Sequence, residues 1–257
     1  MEKSEHGTVQ SVKRSLEIVE VLAESKESLG VTQISKMTGL SKTTAFRLLS
    51  TLIEAGYVQK RYGESSYQLS MKFLKISSSI LEQQDIRSIA GPYIKDLSDR
   101  CKEIVHLAVM DVNEVVYIEK MESSQHVMRI FSNVGTRSPV HCTGLGKVFL
   151  SGLTDGEVEK IIAQKGLRRY TENTITNIDD LKKELALIRE SGYAFDRMEH
   201  EIGVWCVAAP IFDRCGGIVA AISITAPEIY MSDSKIIELT HLVVSAAKDI
   251  SHRLGYI

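Results

Sequence analysis

Short polar and basic side chains cluster at one point of the chain, where the stretch GLSKTTAFRLLSTLIEAGYV, residues 39–58, begins. Ser41 is a favourable N-cap, and Gly39 suits the left-handed position that ends a preceding helix. The helix that follows needs only its apolar positions for packing, so its polar start indicates an additional role. Free backbone N–H groups and the helix dipole at such a start attract phosphate.

The residue types at this helix start are those that bind nucleic acid. Thr43 offers a hydroxyl, and Arg47, one turn further on, can reach a guanine edge or a phosphate. Two further cations lie at a predicted hairpin, where they suit the adjacent DNA backbone or minor groove. The alternative is that all these residues are ordinary solvated residues of a small helical domain. The predicted DNA-binding residues are Ser41, Lys42, Thr43, Thr44, Arg47, Lys60 and Arg61.

The elements around this helix predict a winged helix-turn-helix. No proline precedes Pro92, so the chain before it can be helical without interruption. Apolar spacing predicts three helices, the first over about residues 9–24, and residues 28–30 are predicted as a turn. Strand-like runs on either side of a turn at Gly63 predict a hairpin. The apolar residues expected to face inward are Val12, Leu16, Val19, Leu22, Ile34, Met37, Phe46, Leu49, Leu52 and Ile53.

The rest of the chain completes an α+β fold. Residues 71–90 form one predicted amphipathic helix, which either packs on its own domain or pairs between subunits. Strands, then helices, then strands again indicate an antiparallel sheet with helices beside it. The elements predicted after residue 91 are a helix over about 92–102, strands at 104–111, 114–121 and 128–135, helices within 143–150, 154–166 and 177–192, strands at 204–213 and 217–227, and a helix over about 232–253.

This order predicts three parts. Residues 1–70 are expected to form the winged helix-turn-helix domain, residues 71–90 a linker or dimerisation helix, and residues 91–257 the domain built on the antiparallel sheet. Charge differs between the ends: residues 1–75 hold 11 Lys and Arg against 8 Asp and Glu, whereas the remainder holds 20 against 25. A mildly basic N-terminal module on an acidic body is expected where only one end meets a polyanion.

Cysteine usage and hydropathy predict the compartment. The four cysteines show no CxxC spacing and are expected to be reduced thiols. No apolar run approaches the about 18 residues that a membrane-spanning helix needs, and the N-terminus lacks the apolar segment of a secretion signal. The sequence therefore predicts a soluble, cytoplasmic protein with no membrane partner.

A second candidate site begins at the Gly-Leu-Gly sequence of residues 144–146, at a predicted helix start. Bare N–H groups there form an anion site, although packing explains so short a glycine pattern as well. Lys147 either joins this site or points to solvent. Ser223 and Thr225 alternate on one predicted strand and therefore share a face. The histidines show no HxH or HExxH spacing, so the sequence predicts no metal and no cofactor.

A family resemblance extends over nearly the whole chain. It is carried by the segments VQSVKRSLEIVEVLAES, VTQISKMTGLSKTTAFRLLSTLIEAGYV, SPVHCTGLGKVFLSGL, YTENTIT, IRESGYAFDRMEHEIGVWCVAAPIFDR and AAISITAP. In this order they resemble the IclR (isocitrate lyase regulator) family of bacterial transcription factors. The resemblance implies a winged-helix DNA-binding domain, a linker helix and a GAF-like effector domain that binds a small molecule. It also implies a homodimer, or a dimer of dimers that forms a homotetramer.

The resemblance further implies the location of an effector pocket. In IclR-type domains the loop that matches residues 144–146 holds a carboxylate, and the remaining lining suits a hydroxy or keto acid. The effector half is most similar to that of regulators of sugar-acid (2-keto-3-deoxygluconate) catabolism, through VVYIEKMES, YTENTIT and FDRCGGIVAAISIT. The implied effector-binding residues are Gly144, Leu145, Gly146, Asp196, Cys206, Ser223 and Thr225, with an apolar wall of Val127, Ile130 and Val204.

Three functional hypotheses follow. The favoured one is a ligand-responsive regulator of a catabolic operon, a repressor or alternatively an activator, that binds a palindromic operator in double-stranded DNA. The second is an enzyme on the GAF-like domain, with Cys206 as nucleophile and a histidine as base. Against it, no histidine lies near Cys206 in an evident motif, and an enzyme would leave the DNA-binding module unexplained. The alternative role of Cys206 is that of a buried structural thiol. The third is a scaffold that dimerises through residues 71–90, which leaves the serine, threonine and aspartate set unexplained.

Overall fold

The computed structural model describes residues 9–61, 65–82, 85–122 and 132–256, except for the side chains of residues 78–82 and 85. The chain divides into two compact units, Met1–Gln83 and Gln84–Ile257. None of the helices in the described ranges has the length and apolar character that crossing a membrane requires.

The first unit is a winged helix-turn-helix, which confirms the predicted fold. Its elements are α1 (Gln10–Glu24), β1 (Leu29–Gly30), α2 (Val31–Thr38), α3 (Lys42–Glu54), β2 (Val58–Lys60), β3 (Ser66–Leu69) and α4 (Lys72–Glu82). The strands form an antiparallel sheet in the order β1–β3–β2. The sequence predicts only a turn at β1, because two residues are too few for alternation to show. Gly63, the predicted hairpin turn, lies outside the described residues.

The core of this unit corrects four of the inward-facing predictions. It is built from Ile18, Leu22, Leu29, Ile34, Leu49, Val58 and Tyr67. Val12, Leu16, Met37 and Phe46 were expected there, and each is more than half exposed. Successive residues of a helix are about 100° apart. Ile18 and Leu22 therefore turn Leu16 away from the core, and buried Ala45 places Phe46 on the flank of α3.

The second unit is an antiparallel sheet with helices packed against it, as predicted. Its elements are α5 (Asp85–Cys101), β4 (Ile104–Asp111), β5 (Glu114–Met121), β6 (Arg137–Ser138), α6 (Gly144–Ser151), α7 (Asp155–Lys165), α8 (Ile178–Ser191), β7 (Ala194–Arg197), β8 (Val204–Phe212), β9 (Ile218–Pro227) and α9 (Asp233–Arg253). The sheet order is β6–β5–β4–β9–β8–β7. Strand β7 has no counterpart among the predicted elements, because four residues beside a helix end give little periodicity.

Three predicted elements differ in the structure. Residues 71–90, predicted as one helix, are divided between α4, which ends at Glu82 in the first unit, and α5, which begins at Asp85 in the second. Of the strand predicted at 128–135, residues 128–131 lie outside the described part, and residues 132–135 form a turn before β6. The helix predicted from about residue 92 begins at Asp85, so Pro92 lies inside α5. Proline removes one backbone hydrogen bond from a helix. That loss is offset by burial of apolar side chains on both sides of the proline, Ala90 before it and Ile94 and Leu97 after it.

Helix α6 is the central element of this unit. All its residues except Ser151 are buried. A methyl group on Gly146 would overlap the backbone of Val140, so only glycine allows this approach. The facing strands carry Ala194, Ala208 and Ala221, whose small side chains leave room for the helix. The start of α6 is thereby held against the sheet, close to polar residues that lie on the same strands as these alanines.

Candidate functional site

The start of α3 has the capping geometry that its sequence predicts. Gly39 is left-handed, with φ of 69°. Thr44 N–H donates to Ser41 Oγ at 3.2 Å, and the two hydroxyl oxygens lie 2.9 Å apart. The Ser41 hydroxyl therefore serves first as a cap, and Thr44 is only partly exposed beside it. Both residues position the helix start for a partner.

The outward side of α3 presents the remaining predicted DNA-binding residues. Lys42, Thr43 and Arg47 are exposed, and Thr43 and Arg47, four residues apart, share one face. Lys60 and Arg61 lie exposed at the end of β2, on the wing. The structure therefore places five of the seven predicted residues at the start of α3 and two on the wing of the same unit. Phe46, which was predicted to be buried, is exposed among them.

A cavity of about 60 Å³ lies in the second unit, at the start of α6. One water molecule needs about 10–15 Å³ of such volume, so the space has room for several waters or for a small organic molecule. Gly146 packs on Val140 and does not line it, and Val127 and Ile130 lie outside the described residues. The lining residues are His106, Tyr117, Ser132, Ser138, Thr143, Gly144, Leu145, Asp196, His200, Glu201, Val204, Cys206, Ser223 and Thr225.

Strand pairing brings the predicted effector residues together. Asp196 on β7 pairs with Cys206 on β8, and Cys206 pairs with Thr225 on β9. Ser223, two residues before Thr225, faces the same side and pairs with His106 on β4. Seven of the ten residues that the resemblance implies thus surround one cavity. The seven are Gly144, Leu145, Asp196, Val204, Cys206, Ser223 and Thr225.

Four lining side chains form a hydrogen-bonded chain. Cys206 Sγ lies 3.2 Å from Thr225 Oγ1, which lies 3.3 Å from His106 Nδ1. His106 Nε2 lies 2.7 Å from Ser132 Oγ. Burial lowers the pKa of His106 to about 3, so the imidazole is neutral. Sequence reasoning weighed His106 only as a metal ligand and passed over Ser132, whose partner is remote in sequence.

Asp196 is the buried carboxyl of the cavity. Its Oδ1 accepts from Glu199 N–H at 2.7 Å and from His200 N–H at 3.4 Å. Burial raises its pKa to about 7, although these two hydrogen bonds oppose the shift. Near neutral pH a large fraction is therefore protonated and able to donate a hydrogen bond to a ligand.

Lys147 occupies neither of the places that the sequence suggested. It is fully buried, and its Nζ lies 2.5 Å from Glu199 Oε1 and 3.2 Å from Glu184 Oε1. Glu199 in turn donates its N–H to Asp196, so this ion pair fixes the loop behind the cavity. Glu199 Oε2 is buried, with no hydrogen-bond partner within the described structure. Lys147 and its two glutamate partners therefore have a structural role beside the cavity.

The cavity can hold an anion through hydrogen-bond donors alone, without a cationic side chain. None of the described lining residues is a lysine or an arginine. Gly146 N–H donates to Thr143 Oγ1 and Lys147 N–H to Thr143 O, while the N–H groups of Gly144 and Leu145 precede the first internal bonds of α6. These two N–H groups, with serine and threonine hydroxyls, suit a carboxylate. Among the described residues, no group of His, Cys, Asp and Glu side chains could hold a metal ion.

The raised pKa of Asp196 predicts a pH-dependent stability. Between about pH 4 and pH 7 the folded protein keeps this carboxyl protonated while the unfolded chain ionises it, so the free energy of unfolding falls as pH rises. The neutral His106 imidazole has the opposite effect below about pH 6.5, where an unfolded histidine takes up a proton. We therefore expect the difference between wild type and Asp196→Asn, measured by urea unfolding at several pH values, to decrease from about pH 4 to pH 7. A constant difference would contradict the assigned pKa.

Two family models match the chain. The model for the bacterial transcriptional regulator IclR C-terminal region matches residues 78–252, and that for the IclR helix-turn-helix domain matches residues 11–61. The first covers the cavity and the second covers α3 with its polar start.

Individual relatives match over most of their length. The HTH-type transcriptional regulator KdgR of Dickeya chrysanthemi is 34% identical over 249 residues, 97% of this chain and 81% of that protein. The transcriptional repressor IclR of Escherichia coli K12 is 34% identical over 251 residues, 97% of this chain and 91% of that protein. The crystal structure of Thermotoga maritima IclR superimposes with a TM-score of 0.82, at 32% identity over 97% of this chain and all of that chain. The chain therefore belongs to the IclR family of bacterial transcriptional regulators, with a helix-turn-helix domain for DNA binding.

Proposed function

We propose that this regulator is a repressor of a catabolic operon in the cytoplasm, and that a small organic acid controls it. The observation that carries the proposal is the cavity at the start of α6, which offers N–H and hydroxyl donors and a buried carboxyl but no cation among its described lining. A chain that only bound DNA would not need such a polar cavity, because apolar side chains could fill the same space without the cost of burying polar groups.

The chemistry of the cavity supports a keto or sugar acid as effector. Donors at Gly144 and Leu145 suit the carboxylate, while Ser223 and Thr225 suit oxygens further along the ligand. Asp196 accepts from a ligand hydroxyl when ionised and donates to a ligand oxygen when protonated. The similarity to the transcriptional repressor IclR supports the sign of regulation. The resemblance of the effector half to regulators of sugar-acid catabolism supports the effector class.

The proposed mechanism is a population shift between two conformations. A homodimer, or a dimer of dimers, presents one α3 to each half of a palindromic operator. A bound acid favours one conformation of the effector domain, residues 91–257, and the linker formed by residues 71–90 changes the spacing of the two helix-turn-helix domains, residues 1–70. A coupling free energy of about 1–3 kcal/mol between the two sites is sufficient.

Arg47→Ala tests the DNA half of the proposal. We expect this change to weaken operator binding by about 1–3 kcal/mol, because Arg47 is an exposed cation on the outward face of α3. Effector affinity should not change. The measurement is fluorescence anisotropy with a duplex selected from random DNA, and calorimetry with the effector. Arg100→Ala, which removes an exposed arginine of the second unit, is the matched control. Unchanged operator binding in Arg47→Ala would remove Arg47 from the interface.

The enzyme hypothesis loses its support. Burial raises the pKa of the Cys206 thiol, whereas a nucleophilic cysteine needs a lowered pKa. The thiol donates to Thr225 rather than to a base. The family and the relatives named above are DNA-binding regulators and not enzymes.

A further inference from the structure

Phe46 is an exposed aromatic residue on the flank of α3, at the edge of its polar face. Its side chain is 51% exposed, and the exposed residues around it on the helix are Lys42, Thr43, Arg47 and Ser50. It contributes nothing to the core of the first unit, where Ala45 and Leu49 are the buried residues of α3. The fold alone therefore gives no reason for a phenyl ring at this position.

The surroundings of Phe46 place it between the helix and the wing. It borders a groove with Ser50 on α3 and with Lys60 and Tyr67 on the wing strands. The Ser50 hydroxyl donates to Phe46 O at 2.9 Å, so its proton is already used within the helix. Lys60 is the cation among the described residues that border this groove, and it suits the phosphate backbone of the DNA strand nearest the wing. Phe46 would then face the bases of that same strand.

The chemistry of a phenyl ring limits what it can recognise there. It cannot bond a phosphate or a polar base edge, and the apolar group that the major groove displays is the 5-methyl group of thymine. That methyl group lies on the side of the groove next to the backbone of its own strand. We propose that Phe46 determines part of the operator specificity by packing on a thymine 5-methyl group in each half-site. This inference rests on the proposed operator binding.

The test removes only the methyl group. The full-length wild-type chain selects duplexes from randomised DNA, and each thymine of the enriched site is then replaced in turn by deoxyuridine. Dissociation constants are measured for wild type, Phe46→Ala and Phe46→Leu. The control is Met37→Ala, which removes an equally exposed apolar side chain from α2. Thermal unfolding checks that every variant is folded.

At one thymine of each half-site, we expect deoxyuridine to weaken wild-type and Met37→Ala binding about three- to tenfold. The same replacement should leave Phe46→Ala unaffected and have an intermediate effect in Phe46→Leu. The inference is overturned if no thymine shows a methyl effect, if the site contains no thymine, or if Phe46→Ala shows the full penalty. Failure to enrich any sequence would instead overturn the proposed operator binding, and this inference with it.

Discussion

Replacing Lys147 with methionine is expected to lower the free energy of unfolding of the second unit by about 3–5 kcal/mol. Lys147 is fully buried and pairs with Glu199 at 2.5 Å. Without the ammonium group, Glu199 would be left as a buried carboxylate whose second oxygen already has no partner in the described structure. Urea unfolding can be followed through Trp205, the single tryptophan of the chain, which is buried on β8 of the same sheet.

Two further variants distinguish the buried pair from a general packing defect. Glu184→Gln should cost much less, because the Glu184 carboxylate is partly exposed and lies 3.2 Å from Lys147. The double variant Lys147→Met with Glu199→Leu should recover most of the lost stability, since apolar groups can replace a buried ion pair. A loss below about 1 kcal/mol in Lys147→Met would show that the pair is not buried as described.

Gly146→Ala is expected to destabilise the second unit by about 1–3 kcal/mol. In an ordinary helix position this change would gain up to about 1 kcal/mol. At Gly146 the added methyl group would meet the Cα, C and O atoms of Val140, and backbone atoms cannot move aside as a flexible side chain can. Helix α6 must then shift away from Val140, which displaces Gly144 and Leu145 at the cavity. Effector binding should therefore weaken in parallel with stability.

The matched control for this prediction is Gly156→Ala. Gly156 lies in α7, and a methyl group there would have nothing within 4 Å. It should keep or slightly raise the unfolding free energy measured through Trp205, because alanine is the better helix former. Equal effects of the two changes would contradict the close approach of α6 to Val140.

The winged helix-turn-helix could be predicted because its signals are local. The Ser41 cap, the left-handed Gly39 and the helical spacing of α3 all lie within one stretch of sequence. The side of a helix that packs against the core could not be predicted in the same way. Val12, Leu16 and Phe46 have the spacing of buried residues and are exposed, since apolar periodicity does not say which of two apolar stripes meets the core.

The candidate site could be predicted only in part, for a related reason. Ser223 and Thr225 share a face by simple alternation, and the family resemblance supplied Asp196 and Cys206. The partners of His106 are 26 and 119 residues away, and Lys147 meets Glu199 over 52 residues. Such contacts depend on strand order and register, which local patterns do not encode.

The measurement that tests the central claim most directly is selection of bound sequences from randomised duplex DNA by the purified full-length chain, with and without a pool of keto and sugar acids. A ligand-controlled repressor should enrich an inverted repeat, and one member of the pool should reduce or abolish that enrichment. Salt should weaken the binding, because phosphate contacts release counterions. The absence of any enriched sequence, or an enriched repeat that no acid affects, would contradict ligand-controlled operator binding by this chain.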